Sequence, residues 1–470
     1  MDGITARRRE DGTTLISERA VATLRRAVAG GVLGPGDPGY DAARQVFNAQ
    51  IDRRPALIAR CATASDVVEA VRFARAQDLL VSVRGGGHNV SGNAVGDGAL
   101  MIDLAPLTDV QVDAASRTAR AGAGLTWRVF DRATQAAGLA TTGGVISSTG
   151  IAGLTLGGGL GYLARLYGLT SDNLLSAEVV TAAGERITAG PDEHPDLFWG
   201  LRGGGGNFGV VTSFTYRLYP VGEVVGGLIL HPVARAAEVL GFYREYLLAA
   251  PDALTVHAGL LTLPDGTKVA AFVVGCIADG REAEAMVRPL REFGSPLADL
   301  IRPMSYLDLQ QLLDASYPPG LHHYWKSSFL ARLDDAAIET LIAHFLEAPT
   351  PQSHVIIERL GGAIGRIPPD ATAFAHRAMP FDLFILGVST DRREQAACAE
   401  WARTLWQAMT PHLGAGAYLN YLGAEADEGR DRVRQAYGDH YQRLAAIKAA
   451  YDPENRFRLN HNIAPSPRSS

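Results

Sequence analysis

The sequence predicts an α+β fold built as two intertwined units, and three features carry that expectation. Glycine-rich loops interrupt short strands and helices over the first 220 residues, long apolar strands alternate with helices from Gly222 onward, and a final helix leads into a polar tail. At 470 residues the chain exceeds one ordinary core of roughly 100–200 residues.

Taken in order, Leu15 to Gly31 carries Glu18, Arg19, Arg25 and Arg26 on an amphipathic helical pattern. The Arg7, Arg8, Arg9 cluster before it therefore lacks the apolar stretch of a twin-arginine signal. Ala56 to Arg60 reads as a strand. Thr63 to Asp66 offers a capping box ahead of Val67, Val68, Val71 and Ala74 at helical spacing. A strand over Leu79 to Val83 runs into Arg84-Gly85-Gly86-Gly87-His88. Strands follow at 100–103, 108–112 and 118–121, then a helix over Trp127 to Ala137 and the glycine-heavy stretch Gly143 to Gly161. Glu178 to Thr188, with Ala183-Gly184 at its centre, gives a hairpin signal, and Gly203 to Gly206 precede a strand over Val210 to Tyr216.

Beyond Gly222, strands are expected at 226–230, 254–261, 268–276, 354–360 and 381–388, with helices near 236–247, 281–293 and 392–409. Returning helices of this kind cover one face of a sheet. A last helix over Arg430 to Lys448 leads to the tail, whose final few residues are expected to lack fixed structure.

Apolar residues make up 47% and charged residues 20%, a globular composition. With 44 Lys plus Arg against 50 Asp plus Glu, the net charge is -6, so no basic surface recruits nucleic acid. No run reaches the ~20 apolar residues of a membrane span. Cys61, Cys276 and Cys398 are far apart and without metal-ligand spacing, which suits buried reduced thiols in a cytoplasmic protein. Oligomeric state has no signature in the sequence.

Three consecutive glycines ended by a histidine can serve two purposes. They make a tight turn, or they bring bare backbone N–H groups against an anion such as pyrophosphate. His88 has no Asp, Glu, His or Cys near it at ligand spacing, which argues against a metal. The second loop, Gly150 to Gly161, lacks the strand-turn-helix setting and later acidic residue of a Rossmann site. With Gly203 to Gly206 it makes three glycine loops in one domain, a pattern suited to a long polyphosphate-bearing ligand lying along the backbone.

Several motifs occur together in this order: Arg84-Gly85-Gly86-Gly87-His88-Asn89, Gly157-Gly158-Gly159-Leu160-Gly161, Tyr167 to Asn173, Asp196-Leu197-Phe198-Trp199, and Tyr451-Asp452-Pro453 with Asn460-His461-Asn462-Ile463. Together they resemble the berberine bridge enzyme-like oxidases of the vanillyl-alcohol oxidase superfamily. The resemblance spans residues from about 45 to 465. It implies a PCMH-type FAD-binding domain of two subdomains over residues 1–220 (core from about 53), a substrate domain over 221–430 with an antiparallel sheet covered by helices, and a C-terminal segment, 431–470, that returns to the FAD domain.

Carried over by motif, the resemblance places the covalent flavin histidine at His88 and the pyrophosphate cradle at Arg84, Gly85, Gly86, Gly87 and Asn89. Further FAD contacts fall on Ser148, Thr149, Gly150, Gly153, Thr155, Gly158, Gly159, Gly161, Tyr162, Val210, Val211, Asn460 and Asn462. Many members add a cysteinyl bond through a Gly-x-Cys motif, which here reads Gly144-Val145-Ile146. The expectation is attachment through His88 only. Gly144 to Leu154 is similar to bacterial flavoenzymes of aromatic polyketide tailoring, which implies that Ile146, Thr149 and Leu154 line the place where dioxygen meets the flavin.

Oxidation of the substrate needs a base beside the hydride acceptor. Tyr421 matches a family position that often carries the catalytic tyrosine, and it is either the base or a wall residue. As a base its pKa near 10 would have to be lowered by a neighbouring cation or the flavin. Gly423 stands where relatives often place an acidic residue. Glu358 is the second candidate for the base, or else a solvated or ion-paired residue; it lies mid-strand and faces either the cavity or solvent, which alternation alone does not decide. Tyr324 and the His376-Arg377 pair read as pocket walls or core polar groups. The resemblance implies an oxidase that takes a hydride from a small natural-product substrate and passes the electrons to dioxygen. A flavin mono-oxygenase or cyclase, and a flavin-bearing binding or resistance protein, are the alternatives.

Overall fold

A computed structural model describes residues 3–467. The expectation of an irregular tail end falls partly on 468–470, outside the described residues. The chain begins with a hairpin, β1 (Gly3–Arg7) and β2 (Thr13–Ser17), and then a helix over Glu18–Ala27. That helix is shorter than its amphipathic pattern. Ser17 caps it by accepting from the Ala20 N–H, and Val28 turns extended, so Leu15 and Ile16 belong to the hairpin.

Strands β3 (Val32–Leu33), β4 (Leu57–Arg60), β5 (Val81–Arg84) and β6 (Leu100–Asp103) form a sheet in the order β3-β4-β6-β5, with β6 parallel to both neighbours. Parallel neighbours need a crossover. The helix Ala64–Ala76, started by the capping box of Thr63 and Asp66, carries the chain from β4 past β6's place to β5, and the glycine-rich stretch 85–99 returns it from β5 to β6. Strands β7 (Val110–Asp113), β8 (Thr118–Gly122), β9 (Leu174–Val180), β10 (Arg186–Ala189) and β11 (Val210–Arg217) make an antiparallel sheet ordered β10-β9-β11-β8-β7. Both sheets share one core, which also takes Tyr437, Leu444, Ile447, Phe457 and Ile463 from the C-terminal segment.

The third sheet is antiparallel and eight-stranded. Its long strands are β12 (Val224–Pro232), β13 (Leu254–Thr262), β14 (Lys268–Cys276), β15 (His322–Leu330), β16 (His354–Arg359) and β17 (Phe381–Ser389), running side by side as β12-β14-β13-β16-β17-β15. Strand β15 and the helix Asp335–Leu346 are elements that the sequence pattern does not predict. The last helix is two, Arg430–Tyr437 and Tyr441–Tyr451, separated at Gly438, whose φ of +52° breaks helical geometry.

Period-two alternation divides this sheet. Val256, Ala258, Phe272, Val274, Ile357, Leu383 and Ile385 point to one face, where they bury against Leu240, Tyr243, Leu341 and Leu405 of the covering helices. On the other face, directly paired residues make a row across four strands, Val273 to His257 to Glu358 to Asp382. This face looks toward the glycine loops.

Candidate active site

A cavity of about 310 Å³ lies between the row on the third sheet and the glycine loops. Its loop side is made by Gly85, Gly86, Gly87, His88 and Asn89, by Gly144 to Ile146, and by Thr149, Gly150, Gly153 and Leu154. It continues along Gly205 to Asn207, Val210 and Val211 to Phe457, Leu459, Asn460 and His461. The opposite side is made by His257, Val273, Trp325, Ile356, Glu358 and Phe384, with Tyr317, Tyr418 and Tyr421 at its edge.

The glycines divide by what they do. A Cβ at Gly86 would sit 2.5 Å from the backbone of Gly150, and the reverse clash is the same, so these two loops are glycine-rich partly because they pack on each other. Gly153 and Gly206 differ, because a Cβ there meets nothing within 4 Å and would project into the cavity. Such open backbone suits a ligand lying along it.

Several residues expected at the cofactor lie behind this wall. Arg84 turns away and donates to the Ala43 carbonyl at 2.6 Å, with Asp103 at 3.8 Å. Ser148 is exposed but is not part of the cavity wall. The Thr155 hydroxyl donates to the Ile151 carbonyl at 2.7 Å and shares a bond with Tyr216 at 2.8 Å. Gly158 and Gly159 adopt positive φ in a tight turn, and Gly159 N–H donates to the Tyr418 hydroxyl at 3.0 Å. A Cβ at Gly161 would strike the Gly143 carbonyl at 1.7 Å, and Tyr162 is buried beneath His257. Asn462 does not line the cavity.

His88 is half-buried, with its Nε2 out of solvent, and its ring stacks on Phe47 at 3.9 Å between centroids, 16° from parallel; Phe47 in turn stacks on His323 at 4.5 Å. Asn48 binds both sides of this stack. Its amide donates to the Val90 and His323 carbonyls at 2.9 and 3.0 Å, and its oxygen accepts from the His323 N–H at 3.0 Å. Burial pushes the His88 pKa down to about 4, so its ring is neutral at working pH. Among the described residues Nε2 of His88 has no partner, and neither do Asn460 Oδ1 or the ring nitrogens of His461. Buried polar atoms normally find partners, and here several unpartnered ones line one cavity. That arrangement fits a polar cofactor with a flat ring at the His88 end.

On the sheet side, Glu358 is 5% exposed, settling the question that alternation left open. Burial pushes its pKa up to about 7, although the Tyr421 hydroxyl donates to Oε1 at 3.3 Å. His257 Nδ1 lies 3.7 Å from the same oxygen, and burial pulls its pKa down to about 4. Tyr421 lies flat on Phe384, with ring centroids 3.9 Å apart. Burial raises its pKa well above 10, and Glu358, Tyr418 and Asp382 raise it further. The cation that a tyrosinate at Tyr421 would require is not among the groups that shift it.

Of the other polar residues, Tyr324 leaves β15 on the far face, where it donates to Asp427 at 2.6 Å. Its neighbour Trp325 lines the cavity instead. Arg377 is fully buried in a two-bond pair with Asp172, at 2.6 and 3.1 Å, and His376 bonds the Gln435 carbonyl at 2.8 Å. Asp314 accepts from the N–H and hydroxyl of Ser147 and from Arg128, which fixes the loop carrying Ile146. Sequence reasoning missed Phe47, Asn48, His257, Tyr317 and Phe384. Once β13 and β17 are drawn, strand parity with Glu358 would have found His257 and Phe384; nothing local marks Phe47.

Among the described residues no helix is long and apolar enough to cross a membrane. Residues 55–190 match the FAD binding domain family, and residues 417–464 match the berberine and berberine-like family. The chain is 32% identical over 448 residues to (R)-6-hydroxynicotine oxidase of Paenarthrobacter nicotinovorans, covering 93% of this chain and 97% of that one. The crystal structure of 6-hydroxy-D-nicotine oxidase from Arthrobacter nicotinovorans superposes with a TM-score of 0.86 at 31% identity, over 93% of this chain and 98% of that one. A berberine bridge enzyme-like protein of Physcomitrella patens shares the fold alone, with a TM-score of 0.87 at 23% identity over 96% and 100% of the two chains. Motifs, fold and whole-length similarity agree: the chain belongs to the berberine bridge enzyme-like family of FAD-linked oxidoreductases, with a PCMH-type FAD-binding fold.

Proposed function

We propose that this enzyme is an oxidase that holds FAD by one covalent bond, through His88, and oxidises a small organic substrate of natural-product type with Glu358 as the base and dioxygen as the final acceptor. Segments 1–220 and 431–470 hold the flavin, and 221–430 holds the substrate. The observation that carries this reading is Glu358, a nearly buried carboxyl that pairs with no arginine or lysine among the described residues, set on the cavity wall opposite the loop of His88. When bound, FAD supplies a two-electron acceptor for hydride.

The residues of the chain do the rest. Gly153, Gly206, Val210 and Val211 offer backbone and apolar surface to the cofactor, and Asn460 offers an amide oxygen without a partner. A second, cysteinyl bond has no donor, because Ile146 occupies that position on the wall and Cys61, Cys276 and Cys398 line other parts of the chain. Trp325, Phe384 and Tyr421 hold the substrate ring, while Glu358, ionised above about pH 7, takes its proton. Tyr421 orients Glu358 by its hydrogen bond and acts as wall rather than base. Ile146, Thr149 and Leu154 shape an apolar approach for dioxygen. The name of the nicotine-oxidase relative supports an amine or a C–H beside nitrogen as the first substrates to try. Three buried free thiols suit a cytoplasmic location.

The test is anaerobic mixing with a panel of cyclic amines, alcohols and phenolic natural products. Bleaching of the flavin absorbance, followed on admitting air by one peroxide per substrate consumed, supports the reading. Ligand binding without bleaching across every substrate class contradicts it.

A further inference from the structure

Glu358 has a second carboxyl beside it. Asp382 is its direct partner across β16 and β17, so both side chains leave the sheet on the same face at adjacent positions. Asp382 is fully buried. Its Oδ1 accepts from the Ser327 hydroxyl at 3.1 Å, while Glu358 Oε1 accepts from Tyr421. The remaining oxygens, Asp382 Oδ2 and Glu358 Oε2, both lack a partner among the described residues.

The surroundings offer these carboxyls little positive charge. His257 faces Glu358 from β13 and is neutral, Ser327 faces Asp382 from β15, and the phenols within reach of Glu358 are Tyr162, Tyr243, Tyr317, Tyr418 and Tyr421. The cation whose field reaches Asp382 is Arg432. Its guanidinium is taken up by Glu428 at 3.1 Å, the Ser328 hydroxyl at 2.7 Å and the Ser327 carbonyl. Among the described residues neither carboxyl forms an ion pair with an arginine or lysine. Two adjacent buried carboxylates cannot both ionise under these conditions, since mutual repulsion adds to the cost of desolvating each.

We propose that Glu358 and Asp382 form an acid pair that holds one proton between them, with Asp382 the positioning residue that keeps this proton while Glu358 receives the substrate's. The inference rests on Glu358 being the base. In each turnover the substrate's acidic N–H or O–H bond breaks, and that proton passes to Glu358. The adjacent C–H electron pair leaves as hydride to the flavin, which dioxygen later reoxidises. The pair goes from one bound proton to two, and returns one to solvent before the next cycle. Ser327 holds Asp382 so that its proton is aimed at Glu358 and not at the substrate.

The test is the pH profile of anaerobic flavin reduction in the intact, flavin-loaded enzyme and in Asp382→Asn and Asp382→Leu. Asparagine imitates a protonated aspartic acid, so the acid limb should stay within about 0.3 pH units of wild type. Leucine removes the donor to ionised Glu358, and the limb should rise by about one unit, the equivalent of one hydrogen bond. A limb that falls by a unit or more in Asp382→Asn would show that Asp382 is ionised in the resting enzyme and would overturn the pair. So would an unmoved limb in Asp382→Leu. Infrared spectra of the isosteric Asp382→Asn variant give a second reading that needs no turnover. At pH 8, where Glu358 is ionised, the carbonyl stretch of a protonated carboxylic acid should be lost from that variant, and its persistence unchanged contradicts the proposal. Glu358→Gln separates the two claims. Reduction that survives in Glu358→Gln sinks the base assignment, whereas reduction lost there together with a lowered limb in Asp382→Asn sinks only the pair.

Discussion

Replacing Glu358 by glutamine should stabilise this enzyme while disabling it. A rise in pKa from the ordinary 4.5 to about 7 corresponds to about 3 kcal/mol at ~1.4 kcal/mol per unit. The sign follows from linkage. A carboxyl whose folded pKa lies above its unfolded value favours the folded state while protonated, and that contribution is lost as the pH climbs through 4.5 to 7. Wild type therefore bears an ionised, buried Glu358 at pH 8, and the uncharged isostere does not. Glu358→Gln should be more stable by about 3 kcal/mol at pH 8, falling to about 1 kcal/mol at pH 5. Thermal melts of both proteins, equally loaded with flavin, read this directly as a gap in Tm that widens with pH. The same variant should reduce its flavin about 10²- to 10⁴-fold more slowly with saturating substrate. A gap independent of pH, or a variant less stable than wild type at pH 8, would mean that Glu358 is not a costly buried anion.

Tyr421→Phe removes one hydrogen bond to Glu358 and keeps the stack on Phe384, so flavin reduction should slow by about five- to tenfold in rapid-mixing experiments, far less than for Glu358→Gln. Phe47→Ala takes away the ring that holds His88 in place, and the acid-stable fraction of the flavin should fall while total flavin binding largely persists, as read by absorbance before and after acid precipitation. Arg377→Met leaves Asp172 buried and uncompensated, and should cost about 3–5 kcal/mol in denaturant unfolding. Gly86→Ala forces a methyl to within 2.5 Å of the Gly150 backbone, and should abolish flavin retention on gel filtration.

The strands and motifs that local pattern specifies were legible in the chain itself. The Thr63–Asp66 box starts its helix, the Ala183-Gly184 turn closes its hairpin, and apolar runs from Leu254 to Val388 are strands. The side chosen by a mid-strand residue was less accessible. Glu358 required the register with His257 and Asp382, and within His322 to Lys326 it is Trp325, not Tyr324, that faces the cavity, because a one-residue step reverses the face. Glycines were ambiguous for a related reason. Gly86, Gly150 and Gly161 allow chain to touch chain, while Gly153 and Gly206 open onto the cavity, and composition does not distinguish them. Phe47 and Asn48 lie some 40 residues before the His88 loop they clamp, a contact made by tertiary folding alone.

The covalent anchor is the point on which the rest turns, and mass spectrometry of the protease-derived peptide containing His88 addresses it without an assay for substrate. Wild type should yield that peptide heavier by one FAD less two hydrogens, with fragmentation placing the addition on His88 and the peptides of Cys61, Cys276 and Cys398 unmodified. A His88 peptide of unmodified mass from yellow, flavin-loaded protein, or flavin attached at any other residue, would contradict the single histidyl link.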